Sequence, residues 1–221
     1  MTAKAVLFDF GGTLDSEGLP WKDRFAAAWR EEVGEVAQAR FDPAFYAADD
    51  ALVGTVPRDS SLEETVRRLA GNLSRELDAD PDAAARAGAR FLRDAAPRLE
   101  ASARLLGKLA ERYRLGIVSN FYGNLDAVCA GAGLAPHLSV VVDSVVAGFE
   151  KPDPRIFRAA LDALDARPED AVFVGDSMPR DMEGARRLGM AHVWLAPGRD
   201  RGCCPGDVVI ERLERLPEVI P

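Results

Sequence analysis

Four short stretches of the chain carry residues that could do chemistry together. "FDFGGTL" delivers Asp9 at the end of an apolar run and then breaks at Gly11-Gly12 before Thr13. "IVSN" ends in Ser119-Asn120, "GFEKPDPRIF" carries Lys151, and "GDSMPRD" carries Asp176 with Asp181 five residues further on. Together they would bring three carboxylates, a hydroxyl, an amide and an ammonium to one place. Taken singly, each has a plainer reading: a glycine turn, a polar strand end, a solvated lysine before Pro152, an aspartate capping a helix. Their occurrence in order, three directly at the ends of apolar runs and Lys151 in a loop after another, is what points to one site.

Those apolar runs must be the elements that position the site. Val6–Asp9, Arg114–Asn120, Leu138–Asp143, Asp170–Ser177 and Ala191–Leu195 read as strands buried on both faces. Helical patterns separate them. In "DPRIFRAALDAL", Asp153 can cap and Pro154 takes the first helical position. Alternating strands and helices predict an α/β fold: a Rossmann-like parallel sheet of at least five strands with helices on both faces. Ligands of such sheets collect outside the carboxyl ends of the strands, where the four stretches fall.

From Leu19 to Pro97 the texture is helical instead, rich in Ala, Arg, Glu and Leu. Pro20, Pro43, Pro57 and Pro81 are expected to divide it into about four helices. Ser60 with Glu63 is read as a capping box, and Asp80-Pro81 as the start of a helix ending near Leu92. The expected organisation is a core of residues 1–16 and 99–221, interrupted by a small α-helical cap domain of residues 17–98. Trp21, Phe25, Trp29, Phe41, Phe45 and Tyr46 are expected mainly to build the cap's own core. Arg24, Arg30 and Arg58 are expected mostly to be solvated, and "APGRDRGCCPGD" to be a loop.

The chain has 221 residues and a formal charge of −8, a poor match for nucleic acid or an anionic membrane. A small anionic substrate would need a local cation. No stretch of eighteen apolar residues marks a membrane span, and the amino-terminal run is too short and acidic for a signal peptide. Three cysteines, with Cys203 and Cys204 adjacent, imply no disulfide framework and fit a reducing, cytoplasmic setting. Monomer and homodimer both remain open.

The ordered motifs resemble those of the haloacid dehalogenase superfamily of phosphohydrolases along essentially the whole chain. The resemblance implies a small phosphorylated substrate and roles for the residues already singled out. Asp9 would be the nucleophile, forming an aspartyl-phosphate. Ser119, Lys151 and the pair Asp176 and Asp181 would be the second, third and fourth motifs. A Mg²⁺ would sit on Asp9, Asp176, Asp181 and the carbonyl of Gly11. Gly12, Thr13, Ser119, Asn120 and Lys151 would hold the phosphate. The helical insert is similar to the cap of the subclass that carries it between the first and second motifs. "GDVVIERLERLPEVI" is similar to the family's closing strand and helix.

The chain departs from this pattern at Gly11. The usual family acid two residues after the nucleophile protonates the leaving alcohol and then activates water, help commonly worth about 10²–10⁴-fold. Gly11 cannot supply it. Either the substrate has a good leaving group, or another acid substitutes (Asp15, Glu17, or a cap residue such as Asp23 or Glu31), or the site binds phosphate with little turnover. The superfamily's 2-haloacid dehalogenases also lack this acid, since halide leaves without a proton. Retention of both Asp176 and Asp181 favours metal-assisted phosphoryl chemistry over that alternative.

Overall fold

The computed structural model describes residues 3–198 and 208–220. Six strands form one sheet: β1 (Ala5–Phe8), β2 (Arg114–Ser119), β3 (Val140–Asp143), β4 (Ala171–Gly175), β5 (Ala191–Leu195) and β6 (Val208–Ile210). All neighbours are parallel, in the order β3-β2-β1-β4-β5-β6. The strand order reverses at β1, so the crevice for a ligand opens at its carboxyl end. Period-2 alternation sends Val6 and Phe8 into one apolar cluster and Ala5 and Leu7 into the other, as burial on both faces demands. Register then aligns the site: Phe8 lies opposite Ile117 on one side and Val174 on the other. Asp9, Ser119 and Gly175 consequently end their strands at nearly one level.

Four helices occupy the long insert: α1 (Trp21–Glu32), α2 (Gln38–Asp50), α3 (Leu62–Leu77) and α4 (Pro81–Leu109). Pro43 sits inside α2 rather than dividing it, so three of the four prolines mark boundaries. The cap of α3 is Ser61, whose side chain accepts from the Glu64 N–H, one residue later than the Ser60/Glu63 reading. Asp80 does cap α4, accepting from the N–H groups of Asp82 and Ala83. That helix runs on past Leu92 and through Pro97, leaving the insert and continuing until the chain turns into β2. The rings of Trp21, Phe25, Trp29, Phe41, Phe45 and Phe91 join the same apolar cluster as Val6 and Phe8, tying the insert to one face of the sheet.

Around the sheet lie α5 (Leu125–Gly131), the short α6 (Ser144–Ala147), α7 (Pro154–Ala163) and α8 (Glu183–Arg187). Asp153 caps α7 by accepting from the Arg155 N–H at 2.9 Å, with Pro154 at the first position as read. Ile156, Phe157, Ala160 and Leu161 then bury against Phe173 and Leu7. The closing segment is strand β6 followed by a 3₁₀ turn at Leu213–Glu218. Cys203, Cys204 and most of the glycine-rich tail loop lie outside the described residues. Cys129 is buried, and burial pushes its thiol up to about 12, as suits an inert packing residue. Among the described residues no helix is long and apolar enough to cross a membrane.

Candidate active site

Asp9 leaves β1 with its N–H donated to the Val174 carbonyl, which fixes where its side chain begins. Ser119 Oγ donates to Asp9 Oδ1 at 2.8 Å and Lys151 Nζ donates to the same oxygen at 2.6 Å. The other oxygen, Oδ2, has no hydrogen bond among the described residues. Lys151 Nζ also stands 2.7 Å from Asp181 Oδ1, so one ammonium joins two carboxylates. All of these side chains are nearly sealed from solvent, Lys151 being 3% exposed. Burial by itself would lower the Lys151 pKa, but Asp181 and Asp9 outweigh it and raise the pKa, keeping the ammonium charged.

Lys151 is set by Asn120. The Asn120 side chain accepts from the Lys151 N–H at 2.7 Å and donates to the Lys151 carbonyl at 3.1 Å. Both ends of that amide are therefore engaged with the lysine's main chain, and Asn120 positions Lys151. The turn glycines divide their tasks similarly. Gly12 has φ of 96°, and a Cβ there would come 2.6 Å from Asp176 Oδ2, so only glycine fits. Its N–H is donated to Asp15 Oδ1 at 2.7 Å, so that amide is engaged within the turn. Thr13 is fully buried and donates its hydroxyl to Asp176 Oδ1 at 2.9 Å. Gly12 and Thr13 thus shape and orient the carboxylates instead of lining the cavity.

Asp9, Asp176 and Asp181 each bring a carboxylate oxygen within 4.8 Å of the others. Fully ionised, they carry three negative charges against the single Lys151 ammonium. Burial and the Asp9 and Asp181 charges push Asp176 up to about 8. Asp181, also raised by burial, reaches about 6 even with Lys151 opposing the rise. Asp181 Oδ2 accepts from the Ser177 N–H, while the buried Oδ1 has Lys151 beside it but no well-aligned hydrogen bond. A hard divalent cation fits this donor set: all three side chains offer carboxylate oxygens, and its two charges match the deficit. Trp194, which sequence reasoning passed over, supports the cluster by donating Nε1 to the Asp176 carbonyl at 2.8 Å.

The cluster opens into a cavity of about 410 Å³ that also takes in Gly11, Ser119 and Asn120 and, from the insert, Trp21, Phe45, Tyr46 and Asp49. The space beside Gly11 is not empty. A Cβ on residue 11 would meet Trp21 Nε1 at 3.2 Å, so the indole fills the place where a side chain would go. Trp21 is held there by donating Nε1 to Asp15 Oδ2 at 2.7 Å. Asp15 is 0% exposed and also accepts from Arg24 at 2.6 Å. Burial raises the Asp15 pKa, against the pull of Arg24 and of its other donors. Asp15 is therefore a buried anchor for the turn and not a replacement acid, and Arg24 is its partner rather than a solvated cation. Glu17 pairs with Arg98, Glu31 with Arg90, and Asp23 is exposed beside Lys22. None of these three lines the cavity. Phe25, Trp29 and Phe41 build the apolar interior as expected, whereas Trp21, Phe45 and Tyr46 reach the cavity.

"Phosphoglycolate phosphatase" of Rhodospirillum rubrum is 35% identical over 207 residues, covering 90% of this chain and 81% of that protein. "Phosphoserine phosphatase" of Thermus thermophilus is 49% identical over 77 residues, 35% of this chain and 29% of that protein. "Haloacid dehalogenase-like hydrolase domain-containing protein 3" of Bos taurus is 42% identical over 98 residues, 44% of this chain and 39% of that protein. The matched region thus spans less than half the length of two of these three relatives. Among solved structures, the magnesium-bound HAD-hydrolase YfnB of Bacillus subtilis superposes with a TM-score of 0.63 at 21% identity, covering 100% of this chain and 99% of that one. A dehalogenase with an intermediate complex superposes at 0.69 and 20% identity, covering 100% and 98%. These two share the fold. The family model for haloacid dehalogenase-like hydrolases matches residues 3–189, a span that includes every strand end building the site, and this chain belongs to that family.

Proposed function

We propose that the protein is a Mg²⁺-dependent phosphohydrolase that cleaves a small phosphorylated metabolite through an aspartyl-phosphate on Asp9. The observation that carries this reading is the cluster of Asp9, Asp176 and Asp181, two of them paired with the single Lys151 ammonium, which when fully ionised is left two positive charges short of balance. Asp9 attacks phosphorus, splitting one difficult displacement into two easier ones. Ser119 and Lys151 hold its Oδ1 and so fix the direction of attack, and Lys151 balances charge on the phosphoryl group as it transfers. Asp9, Asp176, Asp181 and the Gly11 carbonyl would hold Mg²⁺, which neutralises charge on the phosphoryl oxygens when bound. Thr13 keeps Asp176 oriented and Asn120 keeps Lys151 in place.

Two relatives named for phosphatase activity, phosphoserine phosphatase and phosphoglycolate phosphatase, support the phosphoryl class. Residues 17–98 act as the α-helical cap, which contributes Trp21, Phe45, Tyr46 and Asp49 to the cavity that Asp9 also lines. An inert buried thiol at Cys129 and an acidic chain fit a cytoplasmic enzyme working on metabolites rather than on nucleic acid or membranes.

The test is phosphate release by the purified protein from esters and anhydrides, with and without Mg²⁺, beside Asp9→Asn. Metal-dependent release that the variant lacks supports the reading. Halide release from 2-chloropropionate without phosphate release would replace it with the dehalogenase alternative. Silence on both would leave a phosphate-binding protein.

A further inference from the structure

With Trp21 beside Gly11, a proton for an ester leaving group has to come from elsewhere on the cavity wall. Among the described residues lining that cavity, the carboxyls are Asp9, Asp176, Asp181 and one more, Asp49 near the end of α2. The first three crowd together as the candidate cation cluster. Asp49 stands apart from them and belongs to the insert. The Tyr122 hydroxyl donates to Asp49 Oδ1, and Oδ2 has no hydrogen bond among the described residues. The Tyr122 ring lies 6.3 Å from that of Trp21, and Trp21 abuts Gly11, so a run of two aromatic side chains links Asp49 to residue 11 along the wall of one cavity.

We infer that Asp49, oriented by Tyr122, is the proton donor to the leaving alcohol, taking over the task that residue 11 cannot perform. This rests on the phosphohydrolase reading and deepens it. In the first half-reaction an Asp9 oxygen forms a bond to phosphorus as the bond from phosphorus to the ester oxygen breaks. The electron pair of that bond moves onto the ester oxygen, which takes the Asp49 proton directly or through one water. In the second half, Asp49 as carboxylate takes a proton from the water that attacks phosphorus. The bond to Asp9 breaks, its pair returns to the carboxylate, and phosphate leaves. The surroundings suit an acid that stays protonated longer than usual. Burial raises the Asp49 pKa, the Tyr122 hydrogen bond opposes the rise, neighbouring Asp50 adds to it, and Arg180 on the Asp176 loop opposes it.

Leaving-group dependence tests this directly. Wild type, Asp49→Asn and Tyr122→Phe are assayed with Mg²⁺ on monoesters running from p-nitrophenyl phosphate to simple alkyl phosphates, reading kcat. A lost proton donor costs most where the departing alkoxide is least stable. Asp49→Asn should lose about 10²–10⁴-fold on alkyl esters and under about tenfold on p-nitrophenyl phosphate. Tyr122→Phe should show the same pattern more weakly, because it frees Asp49 without removing it. An equal loss across the series would make Asp49 a binding group and overturn the inference, as would no loss at all. If wild type itself releases no phosphate from any ester, the phosphohydrolase reading fails and the inference goes with it. A wild type that turns over beside an unchanged leaving-group slope in Asp49→Asn sinks the inference alone.

Discussion

At the scale of single residues, the site turns on what stands beside Asp9. Lys151 and Ser119 converge on one of its oxygens, so replacing the nucleophile with an isosteric amide should leave the fold intact and the chemistry absent. Asp9→Asn is expected to lower phosphate release by at least about 10³-fold while its urea midpoint stays near wild type; retention of activity would mean the nucleophile is misassigned. Gly11→Asp is expected to fail as a repair. Its Cβ would sit 3.2 Å from an indole nitrogen hydrogen-bonded to Asp15, and overpacking of this kind costs about 1–3 kcal/mol. A stable, faster Gly11→Asp enzyme would show that Trp21 yields and that the account of this position is wrong. The types and order of Asp9, Ser119, Lys151, Asp176 and Asp181 were legible in the sequence because each ends or closely follows an apolar run. Trp21 against Gly11 and Tyr122 on Asp49 were not, since those pairs meet only after the insert packs on the sheet.

At the scale of elements, α1 is fastened to the β1 turn by a buried ion pair. Arg24, with its side chain 10% exposed, reaches Asp15 at 0% exposed, and Asp15 in turn holds the Gly12 N–H and the Trp21 indole. Removing one partner strands the other's charge in the interior, so Arg24→Met should cost about 3–5 kcal/mol in urea denaturation. A loss below about 1 kcal/mol would mark the pair as an ordinary surface bridge. Strands were readable because burial on both faces leaves continuous runs such as "AVFVG" with little ambiguity. Helix ends were less so. Ser60 and Ser61 are adjacent, each with a glutamate three residues on, and only packing decides that Ser61 caps. Pro43 shows the converse: a proline predicts a break, yet α2 carries it in its interior on an exposed side.

At the scale of the whole molecule, the sheet gathers three carboxylates at its centre, and their burial, with their mutual repulsion added, links stability to pH and metal. In the metal-free chain Asp176 is raised to about 8 and Asp181 to about 6, both above the ordinary value of 3.8. Between the ordinary and the raised values the folded protein holds protons that the unfolded chain has released. Metal-free stability should therefore fall as pH climbs from about 5 to about 8, and the shift in Tm given by Mg²⁺ should widen over the same interval. A Mg²⁺ shift that narrows toward pH 8 would argue against these residues as ligands. The parallel sheet and the helical insert were foreseeable from the alternation of patterns. The strand order reversing at β1, which makes this one end of the sheet the site, follows from pairing between distant segments and has no local signature.

The central claim is a covalent bond between Asp9 and phosphorus. Acid-quenching the Mg²⁺-loaded enzyme during turnover of a phosphomonoester, followed by peptide mass mapping, should place a phosphoryl group on the peptide carrying Asp9. The adduct should be absent from Asp9→Asn and from metal-free protein. Rapid turnover with no such adduct on that peptide, or with the adduct on another residue, would contradict the account.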